Sequence, residues 1–363
     1  MLTSEEFNKT TATLLILVFA GGLLVGCIGI FLLNTYQTSS LNNRINDLQN
    51  QLYSNEGFQN ATYQTITINQ NGSSLTDIYK SVSNSVVLLQ GTVTDGMVQG
   101  SGFVYRFLDR TVVLTNYHVV QGTTDLSVTF SDGNGYAATV LGTDPYSDLA
   151  VVSVTGAPAS ELKPVNIVSS SALSVGETVI AIGNPYGLVG SLTTGTVSAL
   201  GRTITENASG QYGIANIIQT STPINPGNSG GPLLNSLGNV VGITTAIVTD
   251  SQGLGFAIPS NTILREIGSL ISTGTYNGHS YLGVTGTDMN YDLAKQNGAS
   301  VTYGWQITSI TSGVPSDGKL RVGDIIIALN NQTIRNGDDL ASYLNENTLP
   351  GANLDITVVR GTS

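Results

Sequence analysis

One serine in this chain lies in a glycine-rich stretch suited to acyl-transfer chemistry. Residues 225–233 read Asn-Pro-Gly-Asn-Ser-Gly-Gly-Pro-Leu, with Ser229 at the centre. A serine hydroxyl is a weak nucleophile at neutral pH, so it needs a neighbouring base and donors that hold the oxyanion it creates. Glycine lets the backbone turn tightly, and we predict that the amides of Gly227, Asn228 and Ser229 form the oxyanion hole. The alternative is an ordinary turn between two strands.

The base must come from one of two histidines. His118 follows the β-branched run 111–115, which predicts a strand ending close to the histidine. His279 lies in the polar connector 276–280 without apolar neighbours, so we interpret it as a surface histidine. The predicted base is therefore His118.

The acid that orients the imidazole is predicted to be Asp148. It directly precedes the apolar run 149–152, which would carry it to the edge of a buried core. Asp144 is the competitor, but Pro145 after it indicates a turn residue. The order His118, Asp148, Ser229 is that of chymotrypsin and differs from the orders in subtilisin and in α/β-hydrolases, which disfavours an esterase.

At this point the chain resembles the HtrA/Deg serine proteases, which join a chymotrypsin-like protease domain to C-terminal PDZ domains. The matching motifs lie at 100–104, 114–120, 147–151, 181–187, 194–198, 224–233 and 255–259. Two departures are Ser221, where many members carry an aspartate, and Tyr117, where Asn or Ala is commoner. The resemblance implies two six-stranded barrels with the triad in the cleft between them. It also implies regulated, ATP-independent proteolysis of unfolded or misfolded proteins by a homotrimer outside the cytoplasm.

The pattern of the chain is consistent with a mostly β protein. Short apolar runs alternate with Gly-rich turns from residue 85 onward, which is typical of barrels and sandwiches. Residues 262–271 have helical apolar spacing and close this part. We therefore place a trypsin-like protease domain at 76–273 and a connector at 274–280.

The substrate is expected to bind in an extended conformation, as an added strand beside residues 244–248. The predicted contacts are Ile224, Thr244, Thr245 and Ala246. Since no charged residue marks the presumed pocket wall, we predict a preference for small or medium aliphatic residues before the scissile bond.

Residues 281–363 resemble a PDZ domain. Tyr281, Leu282, Gly283 and Val284 match the loop whose backbone amides hold a peptide's C-terminal carboxylate. Residues 320–330 match the central turn and strand, and 338–344 predict a helix lining the groove. One further strand is expected after 354–359, so this domain is either truncated or has a short edge.

The first part of the chain predicts a membrane anchor. A polar leader at 1–10 precedes an apolar segment at 11–33, and the uncharged run within it has the length of a transmembrane helix. This predicts a single-pass protein with both domains on the extracytoplasmic side. The alternatives are a cleaved signal peptide and lipidation at Cys27.

A polar linker follows at 34–75. Leu41, Ile45, Leu48 and Leu52 have coiled-coil spacing over less than two heptads. This stripe predicts either a short coiled coil that gathers protomers or a plain tether.

Composition excludes several classes of function. The net charge of −11 and the lack of any Lys/Arg run argue against nucleic-acid partners. A single cysteine excludes an intramolecular disulfide, and two histidines without a cysteine cluster predict no metal site. No cofactor is expected.

The sequence thus predicts a membrane-anchored serine endopeptidase whose PDZ domain binds peptide C-termini. The alternative is a chaperone-like or peptide-binding scaffold in which the triad is dormant. Intact His118, Asp148 and Ser229 favour the enzyme, because a scaffold needs none of them.

Overall fold

The computed structural model describes residues 74–184, 190–205, 213–245 and 254–361. The predicted membrane segment at 11–33 lies outside these residues, as does the linker except for Ser74 and Leu75. Within the described ranges, no helix combines the length and the apolar character needed to cross a bilayer.

The first part of the described chain is a closed six-stranded barrel. Helix α1 (Leu75–Val82) leads into it, and one helical turn, α2 (Tyr117–Val120), interrupts it after the third strand. The strands are β1 (Val86–Val93), β2 (Gly96–Phe107), β3 (Arg110–Thr115), β4 (Thr124–Thr129), β5 (Gly135–Asp144) and β6 (Leu149–Val154). They close in the order β1-β2-β3-β6-β5-β4 with antiparallel neighbours.

A second closed barrel repeats this path. Its strands are β7 (Thr178–Gly183), β8 (Ser191–Thr205), β9 (Gly213–Thr220), β10 (Pro232–Asn235), β11 (Val240–Thr245) and β12 (Gly255–Pro259). They close in the order β7-β8-β9-β12-β11-β10, which matches the first barrel strand for strand. Helix α3 (Ser260–Thr273) follows and covers the span predicted as helical.

Apolar burial explains why the strands read as continuous hydrophobic runs. Each barrel has its own interior, with Val87 and Phe130 in the first and Val179 and Leu233 in the second. A further cluster joins residues of both barrels and the inner face of α3. Strands that serve two clusters are buried on both faces, as all six residues of β11 are, so they lack the alternation of a half-exposed strand.

The last part of the described chain is a small sheet with two helices, as the PDZ resemblance implied. It contains β13 (Val284–Asp288), α4 (Tyr291–Asn297), β14 (Trp305–Ile310), β15 (Ile325–Leu329), β16 (Gln332–Thr333), α5 (Gly337–Asn347) and β17 (Ile356–Val359). The sheet order is β13-β14-β15-β16, with β17 also pairing with β15. The two barrels and this sheet confirm the predicted mostly β architecture.

Helix α5 docks on the second barrel through polar contacts. Arg202 Nη1 and the Thr203 amide both donate to Asp338, at 3.2 and 2.8 Å. Asn216 Nδ2 donates to Glu346 Oε1 at 2.7 Å. The helix therefore contacts β8 and β9 while another of its faces lines a groove in the small domain.

Candidate active site

His118 and Asp148 form a close pair at the edge of the first barrel. His118 lies on α2, directly after β3, and its side chain is 21% exposed, whereas that of Asp148 is fully buried. The Nδ1 atom of His118 is 2.9 Å from Asp148 Oδ2 and 3.1 Å from Oδ1, and the His118 amide donates to Oδ1 at 3.0 Å. A carboxylate bound to Nδ1–H fixes the tautomer and leaves Nε2 as the nitrogen that can accept a proton.

The backbone around Asp148 presents the carboxylate to the histidine. Asp148 has φ +49°, a left-handed conformation that is uncommon for a residue with a side chain. Its carbonyl accepts from the Tyr117 amide and from Asn116 Nδ2, both at 3.1 Å. Four hydrogen bonds between Asp148 and the 116–118 segment thus hold this conformation in place.

Ser229 follows a tight turn whose residues match its geometry. The Asn228 amide donates to the Asn225 carbonyl at 2.9 Å, with Pro226 second and Gly227 third at φ +96°. Proline at the second position and glycine with positive φ at the third are typical of a type II turn. Since the Asn228 N–H is used inside this turn, its predicted role as an oxyanion donor is wrong in this conformation. The proposal of an oxyanion hole is therefore limited to Gly227 and Ser229.

Ser101 connects the first barrel to the Ser229 turn, a role that the sequence reasoning missed. Its amide donates to the Ser229 carbonyl at 2.7 Å, and its hydroxyl donates to the Gly227 carbonyl at 2.6 Å. The Thr115 hydroxyl in turn donates to the Ser101 carbonyl at 2.7 Å. The glycines on either side of Ser101 are the sequence feature that could have revealed this role, because the Ser229 turn approaches the backbone closely there. A Cβ at Gly100 would lie 2.6 Å from Val119 Cγ2 and 3.2 Å from the Ser229 carbonyl oxygen.

The end of β11 holds both the serine turn and the acid. Thr244 accepts from the Gly230 amide and donates its own amide to Gly231, each at 2.9 Å. The Thr245 hydroxyl donates to Asp148 Oδ2 at 3.3 Å. Two consecutive residues of the second barrel therefore contact the Ser229 turn and the Asp148 carboxylate, which brings these distant parts of the chain together.

These contacts correct part of the predicted substrate site. Thr244 was predicted to line an open strand edge, but Gly230 and Gly231 occupy one side of it and Ala257 of β12 the other. The Thr245 side chain points to Asp148 instead of to a pocket. Ile224 is half-buried and packs on the interior cluster of the second barrel. Ala246 lies outside the described residues.

His279 is not the surface histidine that the sequence indicated, and Asp144 is not a plain turn residue. His279 Nε2 donates to Asp144 Oδ2 at 2.7 Å, where the carboxylate is 1% exposed and the imidazole 23%. The rings of Tyr146 and Tyr276 flank the imidazole at centroid distances of 5.2 and 5.0 Å. The sequence reasoning missed these anchors because it sought apolar neighbours and the anchors are tyrosines.

The predicted carboxylate loop of the small domain borders a groove. Residues 281–284 and helix α5 enclose a cavity of about 230 Å³ whose lining includes Trp305, Leu340 and Leu344. Gly283 has φ +74°, and its carbonyl accepts from the Thr311 amide at 2.9 Å. Tyr281 is 65% exposed.

Comparisons with known families agree with the two parts of the fold. The family of trypsin-like peptidase domains matches residues 100–243, and the family of PDZ domains matches residues 280–363.

Curated relatives and solved structures are similar over most of the described chain. The putative serine protease HhoA of Synechocystis is 38% identical, with 72% of this chain and 68% of that protein covered. A probable periplasmic serine endoprotease, DegP-like, of Chlamydia trachomatis is also 38% identical, and this chain spans 52% of it, about half the length of that relative. The solved structure of the HtrA-type protease AlgW with a tripeptide superposes with a TM-score of 0.64 at 31% identity, covering 80% of this chain and 94% of that one.

Proposed function

The chain belongs to the HtrA/Deg family of serine proteases, and we propose that it is an ATP-independent serine endopeptidase whose triad is His118, Asp148 and Ser229. The observation that carries the proposal is the pair of contacts at the end of β11. Thr244 is hydrogen-bonded to the turn that carries Ser229, and Thr245 donates to the Asp148 carboxylate, which in turn is hydrogen-bonded to His118.

The proposed roles in the reaction are those of a serine-protease triad. Ser229 Oγ attacks the scissile carbonyl while His118 Nε2 takes its proton, and His118 later returns the proton to the leaving amine. Asp148 keeps Nδ1 protonated and stabilises the imidazolium that forms. The Gly227 and Ser229 amides are the donors proposed for the oxyanion, each worth about 10²–10³ in rate at such sites.

The proposed substrates are unfolded or misfolded polypeptides, and the small domain binds peptide C-termini. In support, β13 pairs only with β14 among the described strands, and its other side borders the groove lined by α5. A peptide can add there as a strand, with its carboxylate at the 281–284 loop. The half-buried Ile224 supports the preference for small or medium aliphatic residues before the scissile bond, which a peptide library tests and a strict Arg/Lys preference would refute.

The setting is proposed from the sequence and the relatives. The apolar segment at 11–33 anchors the chain with both domains on the extracytoplasmic side of the cell membrane, and one relative is named as periplasmic. A homotrimer is proposed from the family resemblance. Light scattering of the full chain beside a 76–363 fragment would test whether the residues before the first barrel contribute to assembly.

The test of the enzyme is labelling by a fluorophosphonate probe. The full chain is expected to react at one serine, and Ser229→Ala is expected to abolish the reaction. Labelling that persists in this variant would overturn the assignment of the nucleophile.

A scaffold with a dormant triad is the second candidate, and the groove of the small domain is the observation that favours it. Digestion of casein with and without added C-terminal peptides separates the two. Cleavage in either condition, lost in Ser229→Ala, supports the protease, whereas peptide binding without any cleavage supports the scaffold.

A further inference from the structure

A second polar cluster adjoins the turn at residues 145–148, which joins β5 to β6 and carries the catalytic carboxylate of Asp148. Glu266 of α3 is completely buried there, and its Oε1 accepts from the Ser147 hydroxyl at 3.0 Å and from Arg265 Nη2 at 2.7 Å. Asp144 is 1% exposed and accepts from the Tyr146 amide at 3.0 Å and from His279 at 2.7 Å. One atom each of Asp144, Glu266 and His279 lie within 4.8 Å of one another.

The second carboxyl oxygen of Glu266 is left without a hydrogen bond. Oε2 is buried and has no partner among the described residues, and a buried ionised oxygen without a partner is costly. The neighbouring Asp144 carboxylate offers only acceptors. The two groups are satisfied together if Glu266 is protonated and Oε2–H donates to Asp144.

The charges around Glu266 favour this protonated form. Burial and the negative charge of Asp144 raise the pKa of Glu266 to about 8, against the weaker opposite effect of Arg265. Burial opposes ionisation of Asp144, but hydrogen bonds from His279, Glu266 and Ser147 outweigh it and lower the pKa of Asp144. The pair thus shares one proton at neutral pH.

Arg265 also argues for a proton instead of a metal ion at this cluster. Its guanidinium is bound to Glu266 Oε1 and lies 5.6 Å from the centroid of the Tyr276 ring. A second cation would be repelled by Arg265, and the contact of 2.7 Å between His279 and Asp144 leaves no room for an ion between them.

The cluster is connected to the catalytic acid by one peptide bond. Ser147, whose hydroxyl is bound to Glu266, directly precedes Asp148, and Asp144 begins the same turn. Because Asp148 adopts an unfavourable left-handed backbone, its conformation depends on the contacts that hold both sides of it. Glu266 supplies one such contact at Ser147, the residue directly before Asp148.

We propose that Glu266 is a positioning residue for catalysis. With a proton on Oε2, Glu266 donates to Asp144 while its Oε1 accepts from Ser147, and these two contacts fix the turn that presents Asp148 to His118. This inference rests on the proposed catalytic role of Asp148. When Glu266 loses its proton, a second negative charge appears beside Asp144 and the hydrogen bond from Oε2–H to Asp144 is lost, so the turn is held only through the contact of Ser147 with Oε1. The charged and titratable groups that face Glu266 are Asp144 at the end of β5, Arg265 on α3, and Tyr276 and His279 on the connector.

Glu266→Gln separates the protonated form from the ionised one. The amide keeps an acceptor for Ser147 and Arg265, donates to Asp144 and cannot lose a proton. With fluorescein-labelled casein and the full chain, the wild-type kcat is expected to fall about tenfold from pH 7 to pH 9, because only about a tenth of Glu266 remains protonated one unit above its pKa. The wild-type KM should stay constant over this pH range. The Glu266→Gln variant should be as active at pH 9 as at pH 7.

Glu177→Gln is the matched control, because it removes one carboxylate from an exposed position on the second barrel. Its kcat should fall between pH 7 and pH 9 as much as that of the wild type.

A dependence of kcat on pH that is the same in Glu266→Gln as in the wild type overturns the positioning role. If wild-type hydrolysis is absent at every pH both with and without added C-terminal peptides, or survives in Ser229→Ala, the proposed function fails and the inference falls with it, so the two failures are distinguishable.

An infrared measurement on the wild type keeps the test independent of how the variant folds. A protonated-carboxyl C=O band is expected at pH 6 and should disappear with a midpoint near pH 8. Absence of that band overturns the proposal. So does a thermal unfolding temperature that falls on EDTA treatment and recovers with Zn²⁺, since the cluster would then hold a cation.

Discussion

Two histidine–aspartate pairs in this protein take their acids from the same turn, four residues apart. The pairs His118–Asp148 and His279–Asp144 have contacts of 2.9 and 2.7 Å, buried acids and partly exposed imidazoles. They differ in what surrounds them. Asp148 binds Nδ1 of its histidine and also a threonine next to the serine turn, whereas Asp144 binds Nε2 of its histidine and adjoins Glu266.

The difference shows that a paired histidine and aspartate do not by themselves identify a catalytic base. His118 uses Nδ1 for its acid, so Nε2 remains for proton transfer. In His279 it is Nε2 that is hydrogen-bonded to the acid, Asp144, and two tyrosine rings flank the imidazole. We therefore propose catalysis for the first pair and structural support for the second.

The largest expected difference between the pairs is in turnover. His118→Ala should lower kcat by about 10⁶, as the loss of a catalytic histidine does in a serine protease. His279→Ala should change kcat by less than about tenfold and instead lower the free energy of unfolding by about 1–3 kcal/mol, because Asp144 loses a hydrogen-bond donor. Casein hydrolysis and urea unfolding measure both. Equal losses of kcat in the two variants would contradict the assignment.

The next difference is in how stability depends on pH. The pKa of Glu266 is raised from 4.5 to about 8, so its stabilising contribution is complete below pH 4.5 and is lost as pH rises through 8. At about 1.4 kcal/mol per unit of pKa difference, the loss is about 5 kcal/mol. The lowered pKa of Asp144 acts in the opposite sense, since its contribution is present above pH 3.8 and lost as pH falls.

Urea unfolding of the full chain between pH 5 and pH 9 checks this expectation. The free energy of unfolding should decline with pH in the wild type and in Glu177→Gln, and the decline should be much smaller in Glu266→Gln. A wild type with constant stability over this range would show that Glu266 and Asp144 do not share an extra proton.

The smallest expected effect concerns the hydroxyl that joins the first pair to the second barrel. Thr245→Val keeps the shape of the side chain but removes the donor to Asp148 Oδ2. The kcat should fall about two- to tenfold, in line with about 0.5–1.5 kcal/mol for one hydrogen bond, with KM unchanged. Steady-state kinetics measure it. An unchanged kcat would mean that the contacts from His118 hold Asp148 without help.

Much of the site could be predicted from the sequence because its signals are local. The glycine and proline of the 225–228 turn belong to type II geometry, and the apolar run after Asp148 predicted its burial, as observed. Contacts between distant residues gave no such signal. Thr244 and Thr245 were predicted to form an open edge, yet Thr244 is paired with the turn at Gly230 and Gly231, and Thr245 donates to Asp148, 97 residues earlier in the chain.

Ser101 and Glu266 show the same limit. Ser101 stands in a recognisable glycine-flanked motif, but its role depends on the Ser229 turn, more than a hundred residues away. Glu266 stands among apolar positions of a helix, where nothing local reveals that Asp144 and Ser147 lie beside it.

The amino-acid sequence alone determined the class of this protein: the residue types for acyl transfer, their order, the strand-rich body and the PDZ-like sheet after it. Tertiary structure decided which polar groups meet. Hydrogen bonds and pKa values depend on separations of a few ångströms, and the closure of two barrels sets those separations among residues far apart in the chain. For this reason the sequence could favour Asp148 over Asp144 as the partner of His118, but only the fold shows that Asp144, four residues earlier, pairs with His279 beside a buried glutamate.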